Sequence, residues 1–243
     1  MSYTTDSIRK LLKQGLNSQD SNGKTPLVLA AWQGDLELVK NFLEQGANVE
    51  IEDNLGESVI HYAAKQSNTE VLTVILHSKV NINKKSSGGY KQTALFAPAH
   101  VENTPILRLL LENGADPNIP DKYKMTALHW AAQQGKAESI KILLEFGADI
   151  NTKNHKGITP LISAVISGVK NNVALLLDAG AEINATAKNG YSALIYAAYY
   201  GLNDIVSLLL ARGGDKNIKD KKGETALTIA EKKNFKEIAA ILI

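Results

Sequence analysis

Short apolar stretches alternate with polar segments along this chain at a nearly constant spacing. Seven times a Thr or Ser is followed by a small or apolar residue and then by Leu or Ile. The seven copies begin at Thr25, Ser58, Thr93, Thr126, Thr159, Ser192 and Thr225. Successive starts differ by 33, 35, 33, 33, 33 and 33 residues, so one spacing carries an insertion. This periodicity predicts a stack of repeated units in which each unit contacts its neighbours.

The segment from Asp20 to Glu52 illustrates one repeat. Thr25 is a favourable helix N-cap, which predicts a short first helix that ends near Gly34. A second helix is predicted by apolar residues at helical spacing, namely Leu36, Val39, Phe42 and Leu43. It ends at Gly46, and the polar segment 47–56 that follows suits a projecting turn or hairpin, here called a finger.

Neither helix is long enough to be stable alone, because isolated helices below about 12 to 15 residues are marginal in water. Stability must therefore come from stacking, and paired alanines in the first helix allow close approach. The pairs are Ala30-Ala31, Ala63-Ala64, Ala131-Ala132 and Ala197-Ala198. The sequence predicts that the array bends, with the fingers and these inner helices on the concave side.

The segments Thr126–Ala132 and Leu143–Asn151 resemble the ankyrin repeat, whose T-P-L-H-x-A signature and period they follow. The resemblance implies an all-α fold, an ankyrin-repeat solenoid of stacked helix-turn-helix units with projecting hairpin or turn fingers. Because Ser7–Gly15 aligns with Ser139–Gly147, residues 1–19 are expected to form an N-terminal half-repeat cap. The seven repeats then expected are 20–52, 53–85, 86–120, 121–153, 154–186, 187–219 and 220–243, the last as a C-terminal cap.

Departures from the family pattern are concentrated in the second and third repeats. Lys79 replaces the glycine that ends the second helix, which implies left-handed strain or a different helix end. Pro98 interrupts an Ala-Ala pair and predicts that this inner helix shifts, kinks or starts late. The other departures are Lys91 and Lys124 in finger turns, Ser67 and Glu102 between helices, and Ser86-Ser87 as the extra residues.

In ankyrin proteins the residues that vary between repeats on finger tips and on the inner-helix surface usually contact a protein partner. Here these positions are rich in tyrosine and tryptophan, which dominate interface hot spots. The contact residues expected on this basis are Trp32, Tyr90, His100, Tyr123, Gln133, Ile166, Tyr191, Tyr199 and Tyr200. The alternative is that the aromatic rings pack against the neighbouring repeat.

Charge adds a second pattern to the expected contact surface. Residues 20–57 hold eight acidic and two basic side chains, a net charge of −6, whereas the later fingers are rich in lysine. The charged contacts expected are Glu50, Glu52, Asp53, Lys122, Lys188 and Lys221. A surface graded in this way would orient a partner of complementary charge. The alternative is that lysine is simply a well-solvated residue on finger tips.

The sequence offers no convincing set of catalytic, cofactor-binding or metal-ligating residues. The chain has no cysteine, which excludes disulfides, thiolate metal sites and a cysteine nucleophile. His61 and His129 occupy the family's structural histidine position, which holds a finger to the helices, and the other histidines lack metal-ligand spacing. Gly88-Gly89 lacks the residues of a phosphate-binding loop. We therefore expect no enzyme activity, cofactor or metal.

The overall composition, with 44% hydrophobic and 21% charged residues, is that of an ordinary folded chain. A net charge of +2 without an arginine-rich stripe argues against nucleic acid as the partner. No apolar run reaches signal-peptide or membrane-span length, so we expect a cytoplasmic chain, with a periplasmic or secreted location open if a leader has been removed. The polar last repeat predicts a monomer.

The predicted function is non-catalytic binding of one protein partner on the concave face, by occlusion or scaffolding. An inhibitor or immunity protein for a microbial toxin or enzyme is the preferred role. The alternatives are a host-directed microbial effector scaffold, an accessory or regulatory subunit of an enzyme, and structural self-association through the array ends.

Overall fold

The chain is all-α, and its computed structural model describes residues 5–243, with side chains from residue 7. Residues 1–4 of the expected half-repeat lie outside this range. The first described helices are α1 (Thr5–Leu12), α2 (Pro26–Gln33), α3 (Leu36–Glu44), α4 (Val59–Lys65), α5 (Thr69–Leu76), α6 (Phe96–Val101) and α7 (Thr104–Glu112). The others are α8 (Ala127–Gln133), α9 (Ala137–Glu145), α10 (Pro160–Ile166), α11 (Lys170–Asp178), α12 (Ala193–Tyr200), α13 (Asn203–Ala211), α14 (Ala226–Lys232) and α15 (Lys236–Leu242). Within residues 5–243 there is no strand, only one isolated bridge between Thr186 and Ser192.

The chain divides into two compact units, between Lys122 and Tyr123. In the first unit α2, α4 and α6 pack in succession as an inner row, and α3, α5 and α7 form an outer row, with α1 against α2. In the second unit α8, α10, α12 and α14 form the inner row, and α9, α11, α13 and α15 form the outer row. The paired alanines of the inner helices are fully buried, as their small size predicts.

Local sequence signals place the ends of these helices. The hydroxyl of Thr25 accepts a hydrogen bond from the N–H of Val28 at the start of α2, and the Asp35 carboxylate accepts one from Leu38 at the start of α3. Lys79, at the position of the helix-ending glycines, has a positive φ of 62°. The predicted left-handed strain at Lys79 is therefore confirmed.

Most fingers are tight turns held by one side chain, an exception being the finger in which Ala187 takes this position. Oδ1 of Asp53 accepts hydrogen bonds from the N–H groups of Leu55 and Glu57, at 2.9 and 3.0 Å. Asp20, Asn154 and Asp220 do the same in their own fingers. Neighbouring fingers are joined by one backbone hydrogen bond, from Asn54 to Asn22, Ser87 to Gly56, Lys122 to Tyr90, His155 to Tyr123, Lys188 to Lys156 and Lys221 to Asn189. The fingers are thus rigid turns that stack edge to edge within each compact unit.

Two buried histidines connect an inner helix to the next finger. Nδ1 of His61 accepts the N–H of Ser58 at 3.2 Å, and its Nε2 lies 3.2 Å from the carbonyl oxygen of Gln92. His129 is bonded in the same way to Thr126 and Ile158, at 3.2 and 3.0 Å. Burial lowers the pKa of His61, which keeps the ring neutral so that one nitrogen accepts and the other donates. The structural role predicted for both histidines is confirmed.

The third repeat departs from the others in the way that Pro98 predicts. Helix α6 begins at Phe96, whereas the other inner helices begin directly after their Thr or Ser cap. The hydroxyl of Thr93 is left buried without a hydrogen-bond partner. Among the residues between helices, Glu102 takes a positive φ of 62°, but Ser67 does not, because α4 ends on an extended Gln66.

The insertion is placed differently from the expectation. Asp53 pairs its backbone N–H with the carbonyl of Glu57, four residues on, whereas Ser86 pairs with Gln92, six residues on. Ser86 therefore occupies the Asp53 position and is not an extra residue. The two added residues lengthen the turn between Ser86 and Gln92, where they do not disturb the helices.

Candidate partner-binding surface

The fingers and the outward-facing ends of the inner helices carry most of the exposed aromatic rings of the described residues. Five of the six aromatic residues expected there are between 37% and 51% exposed, namely Trp32, Tyr90, Tyr123, Tyr199 and Tyr200. The sixth, Tyr191, is half-buried against other tyrosines. Five of the rings are therefore open to solvent in part, although Trp32 also packs against Tyr62 of the next repeat.

In the first compact unit, Trp32 packs against Tyr62, whose ring is itself contacted by two lysines. Its ring packs edge-on against Tyr62, with centroids 5.2 Å apart. The ammonium groups of Lys24 and Lys65 each lie 5.3 Å from the centroid of the Tyr62 ring. Trp32 is thus held in place while much of its surface stays open, which is the arrangement of an interface anchor.

Tyr90 and Lys122 form a second exposed pair in the same unit. Nζ of Lys122 lies 5.0 Å from the centroid of the Tyr90 ring. The backbone N–H of Lys122 donates to the carbonyl oxygen of Tyr90 at 2.8 Å. His100 is half-buried at the end of α6. Tyr90 and Lys122 offer aromatic and positive character where the third finger meets the fourth.

Asp53 is not available to a partner, and its inclusion among the expected contacts is wrong. It is buried, because Oδ1 holds its own finger and Oδ2 accepts the hydroxyl proton of Tyr62. The Asp53 carboxylate closes this turn, so its charge is used internally.

Glu50 and Glu52 are also engaged within the chain. Nζ of Lys84 lies 2.9 Å from Oε2 of Glu50 and 3.3 Å from Oε1 of Glu52. Burial acts to raise the pKa of Glu50, but hydrogen bonds from the Asn81 N–H and from Lys84 outweigh it and lower the pKa. Lys84 therefore balances one of the two acidic charges of Glu50 and Glu52. Both residues remain partly exposed, so their contact with a partner stays a prediction.

In the second compact unit, four of the expected contact residues meet in one groove of about 510 Å³. They are Tyr123, Gln133, Ile166 and Tyr200. The groove is also lined by Met125, Asn154, His155, Lys156, Ile158, Ser163 and Tyr196. Its volume lies within the range of about 300 to 1,000 Å³ that is usual for ligand pockets.

The groove lies where an inner helix carries a small side chain. Trp130 of α8 and Tyr196 of α12 each lie four residues after the cap of their helix. Ser163 of α10 takes the same position and is almost fully buried in the groove. A hydroxymethyl group thus stands where both neighbouring helices carry an aromatic ring, and this leaves room between them.

Four tyrosines form a cluster beside the groove. Tyr196 packs edge-on against Tyr191, with centroids 5.1 Å apart, and stacks on Tyr200 at 6.4 Å. Tyr199 contacts both Tyr191 and Tyr200, and Nζ of Lys233 lies 3.8 Å from its ring centroid. These contacts fix the ring positions without covering Tyr199 and Tyr200.

A basic depression of about 330 Å³ adjoins the groove and shares Asn154 and His155 with it. Its charged lining residues are Lys124, Lys153 and Lys188. Lys188 is one of the expected contacts, and all three lysines are exposed. No carboxylate of the described residues lies within ion-pair distance of any of them. Lys221 is likewise exposed on the finger that follows the one carrying Lys188.

Tyr196, Met125 and Ser163 were not among the residues expected from sequence. Tyr196 and Ser163 share a position that is buried in other repeats, for example at Leu29, so it resembles a scaffold position. The sequence could have indicated the groove, because this position carries Trp130, Ser163 and Tyr196 in three successive inner helices. No group of His, Asp and Glu within residues 5–243 is arranged to hold a metal ion.

The ankyrin repeat family matches this chain over residues 1–86, 94–187, 147–220 and 175–243, in a sequence model that spans three repeat copies. The chain belongs to the ankyrin repeat family. Ankyrin repeats are protein–protein interaction modules, and the family is generally non-catalytic. Across the described residues, every helix is too short or too polar to cross a bilayer.

The chain is similar to parts of several larger ankyrin proteins. It is 32% identical over 103 residues to human transient receptor potential cation channel subfamily A member 1, which is 42% of this chain and 9% of the channel. It is 33% identical over 104 residues to the chicken nuclear factor NF-kappa-B p105 subunit, 42% of this chain and 11% of that protein. A putative ankyrin repeat-containing protein of Treponema pallidum is 30% identical over 125 residues, 50% of this chain and 41% of that protein. The chain thus spans less than half the length of each of these relatives.

Proposed function

We propose that this chain is a non-catalytic binding protein that holds one protein partner against its fingers and inner helices. The observation that supports this most is the set of five exposed aromatic residues on that surface. Trp32, Tyr199 and Tyr200 are supported by ring contacts, so little side-chain entropy is lost when a partner covers them. Rigid aromatic residues of this kind are typical anchors of protein interfaces.

The proposed mechanism is occlusion, with the chain acting as a cytoplasmic monomer that inhibits an enzyme or toxin by covering part of its surface. Fingers that are locked by Asp or Asn side chains and by finger-to-finger hydrogen bonds form a preformed surface. A preformed surface binds without paying for loop ordering, which favours tight inhibition. The alternatives of an effector scaffold or an accessory enzyme subunit use the same surface but predict no loss of partner activity.

The test is affinity capture from a lysate of the source cell with three forms of the chain. The first is wild type, and the second replaces Trp32, Tyr123, Tyr191 and Tyr199 with alanine. The matched control replaces four exposed outer-helix residues, Glu70, Lys141, Asn171 and Ser207, with alanine. We expect one protein to be enriched by wild type and control and to fall by at least about tenfold with the aromatic variant.

Two further measurements complete this test. Thermal unfolding of the three forms shows whether each is folded at the capture temperature. The activity of the captured protein is then measured with and without added wild-type chain, and we expect it to fall only with chains that bind. Equal capture by the aromatic variant would contradict the assignment of the surface, and unchanged activity of a captured enzyme would contradict inhibition.

A further inference from the structure

We infer that the groove of the second compact unit binds an extended peptide segment with an apolar or aromatic side chain and acidic residues beside it. This inference rests on the proposed function and adds the chemistry of the partner. The groove, which Ser163 helps to line, binds the apolar side chain of the peptide. The depression lined by Lys124, Lys153 and Lys188 binds its carboxylates.

The apolar part of the segment is indicated by the lining of the groove. Met125, Ile158 and Ile166 supply aliphatic surface, and Tyr196 and Tyr200 supply aromatic faces. Tyr and Met side chains contact other apolar groups well, because the ring is rigid and the thioether adapts to irregular shapes. A single Trp, Phe or Leu side chain of a partner would find apolar groups on several sides.

The acidic part is indicated by charge complementarity at the adjoining depression. Lys124, Lys153 and Lys188 carry positive charge that no described carboxylate neutralises, and a carboxylate of the partner would fill this role. Of the acidic residues closest along the chain, Asp121 is buried and Oδ1 of Asp149 accepts the N–H of Asn151. Glu182 is exposed and forms no ion pair with the three lysines.

The hydroxyl of Tyr196, in the lining of the groove, adds a hydrogen-bond donor. Asn189 donates its side-chain N–H to Oη of Tyr196 at 3.3 Å, and within residues 7–243 the hydroxyl proton of Tyr196 has no acceptor. Burial raises the pKa of Tyr196, so this hydroxyl stays protonated at neutral pH. A protonated hydroxyl donates to a carboxylate or to a backbone carbonyl of the bound segment, and either group belongs to an acidic peptide.

The test uses a phage library of short random peptides selected on the immobilised full chain. We expect the enriched peptides to be rich in Asp and Glu around a Trp, Phe or Leu. Affinity of a labelled member of that pool should fall by at least about tenfold in Ser163→Tyr, which places a ring where α12 already carries one. The double variant Lys124→Glu, Lys188→Glu should show a similar loss, and raising NaCl from about 0.05 to 0.5 M should weaken wild-type binding.

Matched controls separate the groove from general charge effects. Lys141 and Lys170 are exposed on outer helices α9 and α11, so a double change of both to Glu alters net charge equally but leaves the groove intact. We expect this variant to bind as wild type does. Because Ser163 is buried, Tyr200→Asp is measured as well. It changes an exposed lining residue, and its negative charge should also reject the acidic peptides.

Four results would overturn the inference: no enriched peptides, an enriched pool without acidic residues, binding unchanged in both Ser163→Tyr and Tyr200→Asp, or equal binding of a labelled oligothymidylate. Aromatic and basic surfaces also bind single-stranded nucleic acid, and the last result would identify that class instead. If any of these is found while the aromatic variant still loses a captured protein, the proposed function stands and only the partner chemistry fails.

Discussion

We expect the His129→Ala variant to lose about 3 to 5 kcal/mol of unfolding free energy. The substitution leaves the N–H of Thr126 and the carbonyl of Ile158 without their partner, at a site where His129 is fully buried. It also leaves a cavity between α8 and the next finger. Because this ring bonds one repeat to the next, its loss weakens an interface as well as a single turn.

The measurement for His129 is urea unfolding followed by far-ultraviolet circular dichroism. His155→Ala is the matched control, since His155 is an exposed histidine in the same compact unit, and we expect it to change stability by less than about 0.5 kcal/mol. Equal unfolding curves for the two variants would show that the hydrogen bonds of His129 do not support the stack.

Gly56→Ala should also be strongly destabilising. Gly56 has a φ of 74°, and an added Cβ would lie 2.3 Å from the backbone nitrogen of Gly88 and 2.8 Å from that of Ser87. The left-handed conformation and the backbone clash together should cost about 2 to 5 kcal/mol. Neighbouring fingers meet at this point, so the clash separates them.

Gly46→Ala is the control for the conformational part of this effect. Gly46 has a φ of 83°, but its added Cβ would meet no atom within 4 Å. We therefore expect a loss of only about 1 to 2 kcal/mol, from strain alone. Urea unfolding of both variants measures the difference. If Gly46→Ala were as destabilising as Gly56→Ala, close finger packing would not be what requires glycine at position 56.

Local signals in the sequence were sufficient for most of the fold. The Thr cap of α2, the glycine-like φ of Lys79 and the late start of α6 near Pro98 all depend on neighbouring residues, so a single repeat predicts them. The position of the insertion was not predictable in this way. Only the Ser86–Gln92 hydrogen bond identifies which residue takes the Asp53 position.

The contact surface was less predictable than the fold. Comparison of repeats identified Tyr123, Gln133, Ile166 and Tyr200, which meet in one groove. It could not show that Asp53 closes a turn or that Lys84 binds both Glu50 and Glu52, because those contacts depend on side-chain orientation. Comparison of repeats also did not identify Ser163. A small residue leaves room for a groove only if the neighbouring helices carry large rings at the same position.

Hydroxyl-radical footprinting of the chain, with and without its captured partner, tests most directly whether the fingers and inner helices form the binding surface. This method reads the solvent accessibility of reactive side chains, most strongly Met, Trp, Tyr and Phe and more weakly Ile. We expect the partner to protect Trp32, Tyr123, Met125, Tyr199 and Tyr200, whereas Phe146, at the end of outer-row helix α9, and Ile241, in outer-row helix α15, keep their reactivity. Protection of Phe146 and Ile241 with unchanged reactivity of the tyrosines would contradict the assignment of the binding surface.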